Sequence, residues 1–309
     1  MKQTNCFWSR FIIPFTLVIL ISNQTYAQQK KQTDLEKEGL KGAVSEVEKK
    51  EWKAADRFGV TEKTNYILGH VKKFTQNGYL ESHTSIDEQG QIMWKTIYKF
   101  DSKGLISESK TYRSDGYLES YWLYTYHPNG TPKEHTRFNA SGKISVKSTF
   151  NDQGHWLAEM YFKDDGSVWY HRAMTYDDLG NLKEEKELFK SRTIKYRYDF
   201  RGNNTEQTWI YKDGEISVIK FEYDSFDRIV IKATYKNASQ TSKAILQYNE
   251  QGDEKVYKSY NDSQNYFKNY EYKYDSKGNW IVKITYESSS EGFLGVPVKI
   301  EERKIKYYN

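Results

Sequence analysis

Tyr176-Asp-Asp-Leu-Gly180 and Tyr274-Asp-Ser-Lys-Gly278 share one pattern: an aromatic residue, Asp, two variable positions, then Gly. Phe100–Gly104, Phe138–Gly142, Phe150–Gly154, Tyr198–Gly202 and Tyr248–Gly252 repeat it, with Asn replacing Asp at 139, 151 and 249. Phe74, Ile86, Tyr112, Tyr126 and Phe162 open looser copies that end at Gly78, Gly90, Gly116, Gly130 and Gly166. The chemistry is that of a hairpin turn. An Asp or Asn at its first position accepts a hydrogen bond from the backbone two residues on. A Gly at the fourth takes the left-handed conformation of a bulged three-residue loop. Gly104, Gly154, Gly180, Gly202, Gly252 and Gly278 are therefore the expected turn glycines. This geometry sets Phe100 opposite Ile106, Phe150 opposite Trp156, Tyr176 opposite Leu182 and Tyr274 opposite Trp280. Each such aromatic–apolar cross-strand pair contributes roughly 0.2–1 kcal/mol.

From Gly78 to Gly180 the glycine spacings are 12, 14, 12, 14, 12, 12, 12 and 14. Side chains alternate faces with period two, so even spacings predict that even-numbered residues share one face. That face would carry Trp94, Tyr98, Phe100, Trp122, Tyr124, Tyr126, Trp156, Ala158, Met160 and Phe162, with polar residues on the odd face. Beyond Gly202 the phase is less regular. Asp213-Gly214 predicts a two-residue turn pairing Tyr211 with Ile216, and Asp227 stands where Gly is expected. Ala54-Ala55-Asp56 suggests a short helical turn after a first strand at Leu40–Trp52, and Lys299–Tyr307 a last strand. The expected fold is all-β: an antiparallel meander of about sixteen strands. With no helices to cover its apolar face, the sheet should coil into a barrel or a short spiral shell.

Residues 1–27 read as a secretory signal peptide. Lys2 and Arg10 precede an apolar run, Phe11 to Ile21, that is too short to span a bilayer, and Thr25-Tyr26-Ala27 offers a cleavage site. The single cysteine, Cys6, lies before the apolar run, whereas a lipoprotein signal needs it after; lipid anchoring and disulfides are not expected. Residues 28–39 read as a flexible polar lead and 40–309 as one repeat domain. Fifty aromatics among 309 residues argue against disorder, and a mean hydropathy of −0.90 argues against a polytopic helical membrane protein. The charge of +5, or +3 after loss of Lys2 and Arg10, is interspersed with acids, which is no nucleic-acid footprint. The mature chain is expected in the periplasm or outside the cell.

These turns resemble YD repeats, the tyrosine–aspartate units of RHS-type proteins, and in particular small secreted YD-repeat proteins of Bacteroidota. Tyr176-Asp177 to Leu182 and Tyr274-Asp275 to Trp280 carry the likeness best, and Leu40-Lys41-Gly42 and Phe58-Gly59 fit it. There is a weaker likeness to MORN-like repeats. The resemblance implies β-sheet and surface interaction, and assigns no catalytic residues; large RHS proteins build hollow shells around a toxin.

The six histidines show no zinc-type spacing. His83, His135, His155 and His171 are expected on the outer, odd face. Acidic turns such as Asp164-Asp165 offer too few oxygens for calcium. There is no nucleophile elbow or Walker loop. No catalytic, cofactor or metal site is therefore expected. The register above instead pairs Tyr161 with Trp169 and Trp169 with Phe189 in an aromatic row on the outer face, near Leu157, Tyr121 and Leu123. Such exposed patches mark interaction sites. The leading expectation is a non-catalytic secreted or envelope scaffold binding glycan or protein. The alternatives are a carrier or neutralising partner of a secreted effector, and a hydrolase of unrecognised type.

Overall fold

The motif turns close as their chemistry asks. In the computed structural model, which describes residues 33–261 and 263–309, the Asp101 N–H donates to Leu105 O (2.8 Å) and the Gly104 N–H to Asp101 O (3.0 Å). The Asp101 carboxylate accepts the N–H groups of Lys103 and Leu105 at 2.8 and 2.9 Å. Gly104, Gly154, Gly180, Gly202, Gly252 and Gly278 have φ between 74° and 91°. Asp227 takes the same left-handed conformation in glycine's place, φ 60°, a role that a short polar side chain tolerates.

These turns join β1 (Val44–Arg57), β2 (Val60–Phe74), β3 (Leu80–Ile86), β4 (Ile92–Phe100) and β5 (Ile106–Arg113). There follow β6 (Leu118–Tyr126), β7 (Pro132–Asn139), β8 (Ile144–Phe150), β9 (Trp156–Phe162) and β10 (Val168–Tyr176). Then come β11 (Leu182–Glu187), β12 (Arg192–Tyr198), β13 (Asn204–Ile210), β14 (Ile216–Tyr223) and β15 (Ile229–Lys236). The last are β16 (Ser239–Tyr248), β17 (Glu254–Asn261), β18 (Tyr266–Tyr274), β19 (Trp280–Ser288) and β20 (Val296–Tyr307). Every strand pairs antiparallel with its sequence neighbours, and β20 pairs with β1. The sheet is thus a closed up-and-down barrel, one of the two shapes the sequence left open.

The described residues form twenty strands where about sixteen are expected, because several hairpins turn without the motif. Phe58-Gly59, Leu188–Ser191 and Asn237-Ala238 do so with non-glycine residues at positive φ, namely Phe58, Ser191, Asn237 and Ala238. Ala54–Asp56 is strand, paired to Lys63, Glu62 and Thr61, and not a helical turn. Ile210, not Tyr211, faces Ile216, since Asp213-Gly214 closes the same three-residue loop as the other motif turns.

The expected face parity is also corrected. Phe100 faces Ile106, but Lys99 faces Glu108, so the outgoing strand carries one extra residue beside this turn. The shift recurs at Thr111/Ser120, Arg137/Val146, Thr149/Ala158, Tyr161/Tyr170 and Thr175/Glu184. Each β-bulge reverses the face of the residues beyond it. The sheltered face is therefore even on β4, β6, β8 and β10 and odd on β5, β7, β9 and β11. In a closed barrel the sheltered face is the inner one: Trp122, Tyr124 and Tyr126 are half-buried while Glu119, Leu123 and Thr125 are exposed. Small residues on the odd strands make room for these rings. Ser109, 3% exposed, hydrogen-bonds the Tyr124 hydroxyl at 3.1 Å.

The bulges also explain the motif tyrosine. Tyr126 donates its hydroxyl to the carbonyl of Ile106, Tyr176 to Trp156, Tyr198 to Leu182, Tyr223 to Asn204 and Tyr248 to Ile229, all at 2.7–2.9 Å. Every acceptor is the residue at the preceding bulge on the same rim, where the ladder is interrupted. On this rim each of these five tyrosines clasps its hairpin to the preceding one.

The barrel closes differently. Thr33 caps a helical turn, α1 (Asp34–Lys37), through a reciprocal capping box with Glu36. Leu35 and Leu40 bury themselves with Val44, Val47 and Phe74, against Leu80, Ile305 and Tyr307. The latter part of the lead expected to be flexible is thus a docked turn. The expected signal peptide and residues 28–32 lie outside the described residues. Twenty strands about 4.8 Å apart and tilted by about 40° would make a round barrel about 40 Å across. Substantial packing of strands is confined to ring neighbours, apart from a short approach of β2 to β20 across β1.

Candidate functional site: an aromatic cluster at one rim

The β9–β10 hairpin builds the site. Val168 faces Phe162 and Tyr170 faces Tyr161, so Trp169 is the extra residue of the bulge and has no cross-strand partner. Freed from the ladder, it stands 50% exposed at the rim. Its ring lies 5.5 Å from Tyr161 in an edge-on contact and 6.1 Å from Tyr170, and Tyr161 and Tyr170 meet at 5.3 Å. The expected row is therefore only partly formed. Tyr161 belongs to the inner face, between Val146 and Tyr170. Phe189 sits in the β11–β12 turn, 59% exposed, without a ring contact to Trp169 among the described residues. Tyr121 stacks on Phe138 at 4.8 Å on the outer wall, and Leu123 and Leu157 are exposed.

Beneath the rings runs a charged network that sequence reasoning missed. Arg172 bridges Glu159 (2.9 Å) and Glu185 (3.3 Å), lying 4.5 Å over the Trp156 ring. Arg192 pairs with Glu187 at 2.6 Å, lies 4.5 Å over Trp209, and shares Glu187 with the Tyr170 hydroxyl, also at 2.6 Å. The three carboxylates are only 5–7% exposed. Burial pushes the Glu187 carboxyl up, but hydrogen bonds from Arg192 and Tyr170 outweigh it and hold it below the usual range. Burial and the Glu187 contact both push the Tyr170 hydroxyl well up, so it remains a donor. Three buried acids against two guanidiniums leave this patch formally negative. Two buried donors, Arg192 Nε and Trp209 Nε1, meet no acceptor among the described residues. Strict even spacing puts Glu159, Glu185 and Glu187 outside, and only the bulge brings them under the aromatics, so the glycine pattern carries no sign of the network.

The same correction moves histidines. His83 and His135 face inward, and His171 faces outward opposite Met160. Burial, helped by Lys72, pushes His83 down to about 3; its Nε2 lies 3.3 Å from His70 Nδ1. Burial pushes His135, wedged between Tyr124 and Phe150, down to about 4. Among the described residues no three His, Cys, Asp or Glu side chains group as metal ligands. Asp165, in one of the acidic turns weighed for calcium, accepts the Ser167 N–H and hydroxyl instead.

No protein-family model matches the sequence, and no curated protein matches it. Among solved structures, a porin-like protein from Bacteroides uniformis is similar over 85% of this chain and 98% of its own, at 10% identity and a TM-score of 0.40. The TcdB2-TccC3 structure is similar over 78% of this chain at 10% identity and a TM-score of 0.31; this chain spans 18% of its length. At these scores the likenesses carry no argument about function.

Proposed function

We propose that this protein is a non-catalytic, exported β-barrel scaffold that binds glycan at the rim cluster Tyr161–Trp169–Tyr170. The observation that carries the reading is Trp169. A bulge takes it out of the sheet and leaves it half exposed, flanked by two tyrosine rings and backed by fixed charges. A sugar ring presents an apolar face and an edge of hydroxyls. The indole suits the first, and Tyr and Trp bodies with polar tips suit the second. Lys190, 5.5 Å over the Tyr170 ring, adds a donor at the same edge. The ion pairs below hold Tyr170 in one orientation, which lowers the cost of ordering the site on binding.

The outer wall supports a water-surrounded barrel. Lys99 and Lys110 pair with Glu108, Lys147 with Glu134, Lys186 with Glu184, and Lys306 with Glu46, all outward. Facing lipid at the bilayer midplane, each such lysine would cost ~2–4 kcal/mol. Among the described residues no helix is long and apolar enough to cross a membrane. A protein ligand is the second reading, favoured by Phe58, Phe189, Phe293 and Leu294, which stand exposed on turns of the same rim.

A glycan array probed with the exported chain and its Trp169→Ala variant tests this. Selective binding, lost at least tenfold in a variant that melts like the parent, is the expected result. Binding that survives Trp169→Ala, or no binding at all, overturns it.

A further inference from the structure

A second site lies inside the barrel where it closes. A cavity of about 190 Å3 opens between the inward faces of β20, β1, β2 and β3, beneath the segment that follows α1. Lys49, Lys72 and Arg303 line it, together with His70, His83 and a single carboxylate, Glu38. Three fixed cations thus face the cavity against one acid, with Glu51 and Glu301 set behind Lys49.

The three cations are not equally engaged. Lys49 is held by Glu51 and Glu301, both at 2.7 Å, and Lys72 by Glu38 at 2.5 Å. Arg303 has neither an ion pair nor a hydrogen bond among the described residues. Its guanidinium lies 3.5 Å over the Trp280 ring, which fixes the plane while leaving the N–H edge unused. Burial lowers its pKa, and Glu38, Glu301 and Asp253 act on it only from a distance. An Arg in this state is costly, and its planar fork matches a carboxylate, sulfate or phosphate. The histidine pair adds a neutral donor. With one N–H spent between the rings at 3.3 Å, two neutral imidazoles retain one further N–H.

We infer that this cavity is an oxyanion site that takes the acidic unit of a glycan, with Glu38 as its built-in occupant. Glu38 is the C-cap residue of α1 and holds Lys72 in place of a ligand oxygen. Its side chain remains 39% exposed, so it is placed to yield. The inference rests on the glycan reading above but uses different residues, so the two fail separately.

Calorimetric titration of the whole exported chain with a galacturonate oligomer, a sulfated oligomer and a neutral oligomer of equal length is the test. Acidic oligomers should bind at least tenfold tighter than the neutral one. Arg303→Gln should abolish that preference, whereas Lys306→Gln, which removes an outer-wall charge, should leave it. Glu38→Gln should tighten acidic binding several-fold, which keeps the test open even if the Arg303 variant misfolds. Carboxylated and sulfated oligomers binding alike would define a general oxyanion site; preference for one would identify the source. Equal affinity for acidic and neutral oligomers overturns this inference and leaves the rim reading standing. Equal losses in the Arg303 and Lys306 variants, or no gain from Glu38→Gln, overturn it too. Absence of all binding removes both readings.

Discussion

At the seam, β1, β2 and β20 run 14, 15 and 12 residues and bury Phe74 and Val44 almost completely under a docked helical turn. Along the wall from β4 to β12, strands of six to nine residues keep their aromatics half-buried and bury mainly Ser, Thr and ion-paired Glu. The seam is ordered as small globular proteins are, by excluding water from apolar side chains. The wall is ordered by repetition: turn carboxylates, tyrosine clasps and inward ion pairs, each modest and each recurring. A barrel of this size cannot fill its interior with side chains, so the wall relies on directional bonds, and among the described residues the packed apolar cluster lies at the seam.

The sharpest way to break that contrast is to remove one ring from each region. Phe74→Ala, at 1% exposure, should cost ~3–5 kcal/mol in chemical denaturation. Phe100→Ala, half-buried in the wall, should cost roughly half as much or less. Equal costs would mean that the wall too has an apolar core.

Lowering the pH probes an enclosed histidine from each region, His83 at the seam and His135 in the wall. His83 and His135 are held neutral in the fold, well below the value of about 6.5 they have when unfolded. The unfolded chain therefore binds protons first. Stability present above pH 6.5 is lost as pH falls toward about 4, with a slope approaching ~1.4 kcal/mol per pH unit for each histidine. The double variant His83→Gln, His135→Gln should flatten the melting temperature across that window. An unchanged slope would mean that these rings are not enclosed.

The smallest effect belongs to the clasp. Tyr176→Phe should cost ~1 kcal/mol by leaving the Trp156 carbonyl unpaired. Tyr112→Phe is the control, since that motif tyrosine opens a turn on the opposite rim and makes no such bond among the described residues. Equal effects would remove the clasp from the description of the repeat.

The contrast also explains what the sequence could disclose. Turn chemistry is local, so Asp177 and Gly180 announce their hairpin without knowledge of the rest, and the aromatic–apolar pairs at each turn come with it. The bulge beside the turn leaves no mark in glycine spacing, because the extra residue is absorbed in each strand's length. Even spacing alone puts Tyr161 and His135 on the outer face and separates Glu159 from the rings it lies beneath. Trp169 was legible as an unusual exposed ring, but its neighbours were not. The seam was the least legible, since β1 must find β20 across the whole chain through no repeated signal. The Asn279 side chain bonding both the N–H and the carbonyl of Lys41 is a contact that local patterns do not encode.

Closure is best measured where the first and last described strands, β1 and β20, meet. Lys50 and Glu302 are Cα partners on the outer wall, and replacing both with cysteine in a Cys6→Ser background allows paired spin labels and a pulsed electron–electron distance. A closed barrel gives a single short distance, below about 20 Å for labels on directly paired residues roughly 5 Å apart at Cα. A broad distribution centred well beyond that would mean an open spiral, and the inner wall, the seam cavity and the enclosed histidines would lose their common basis.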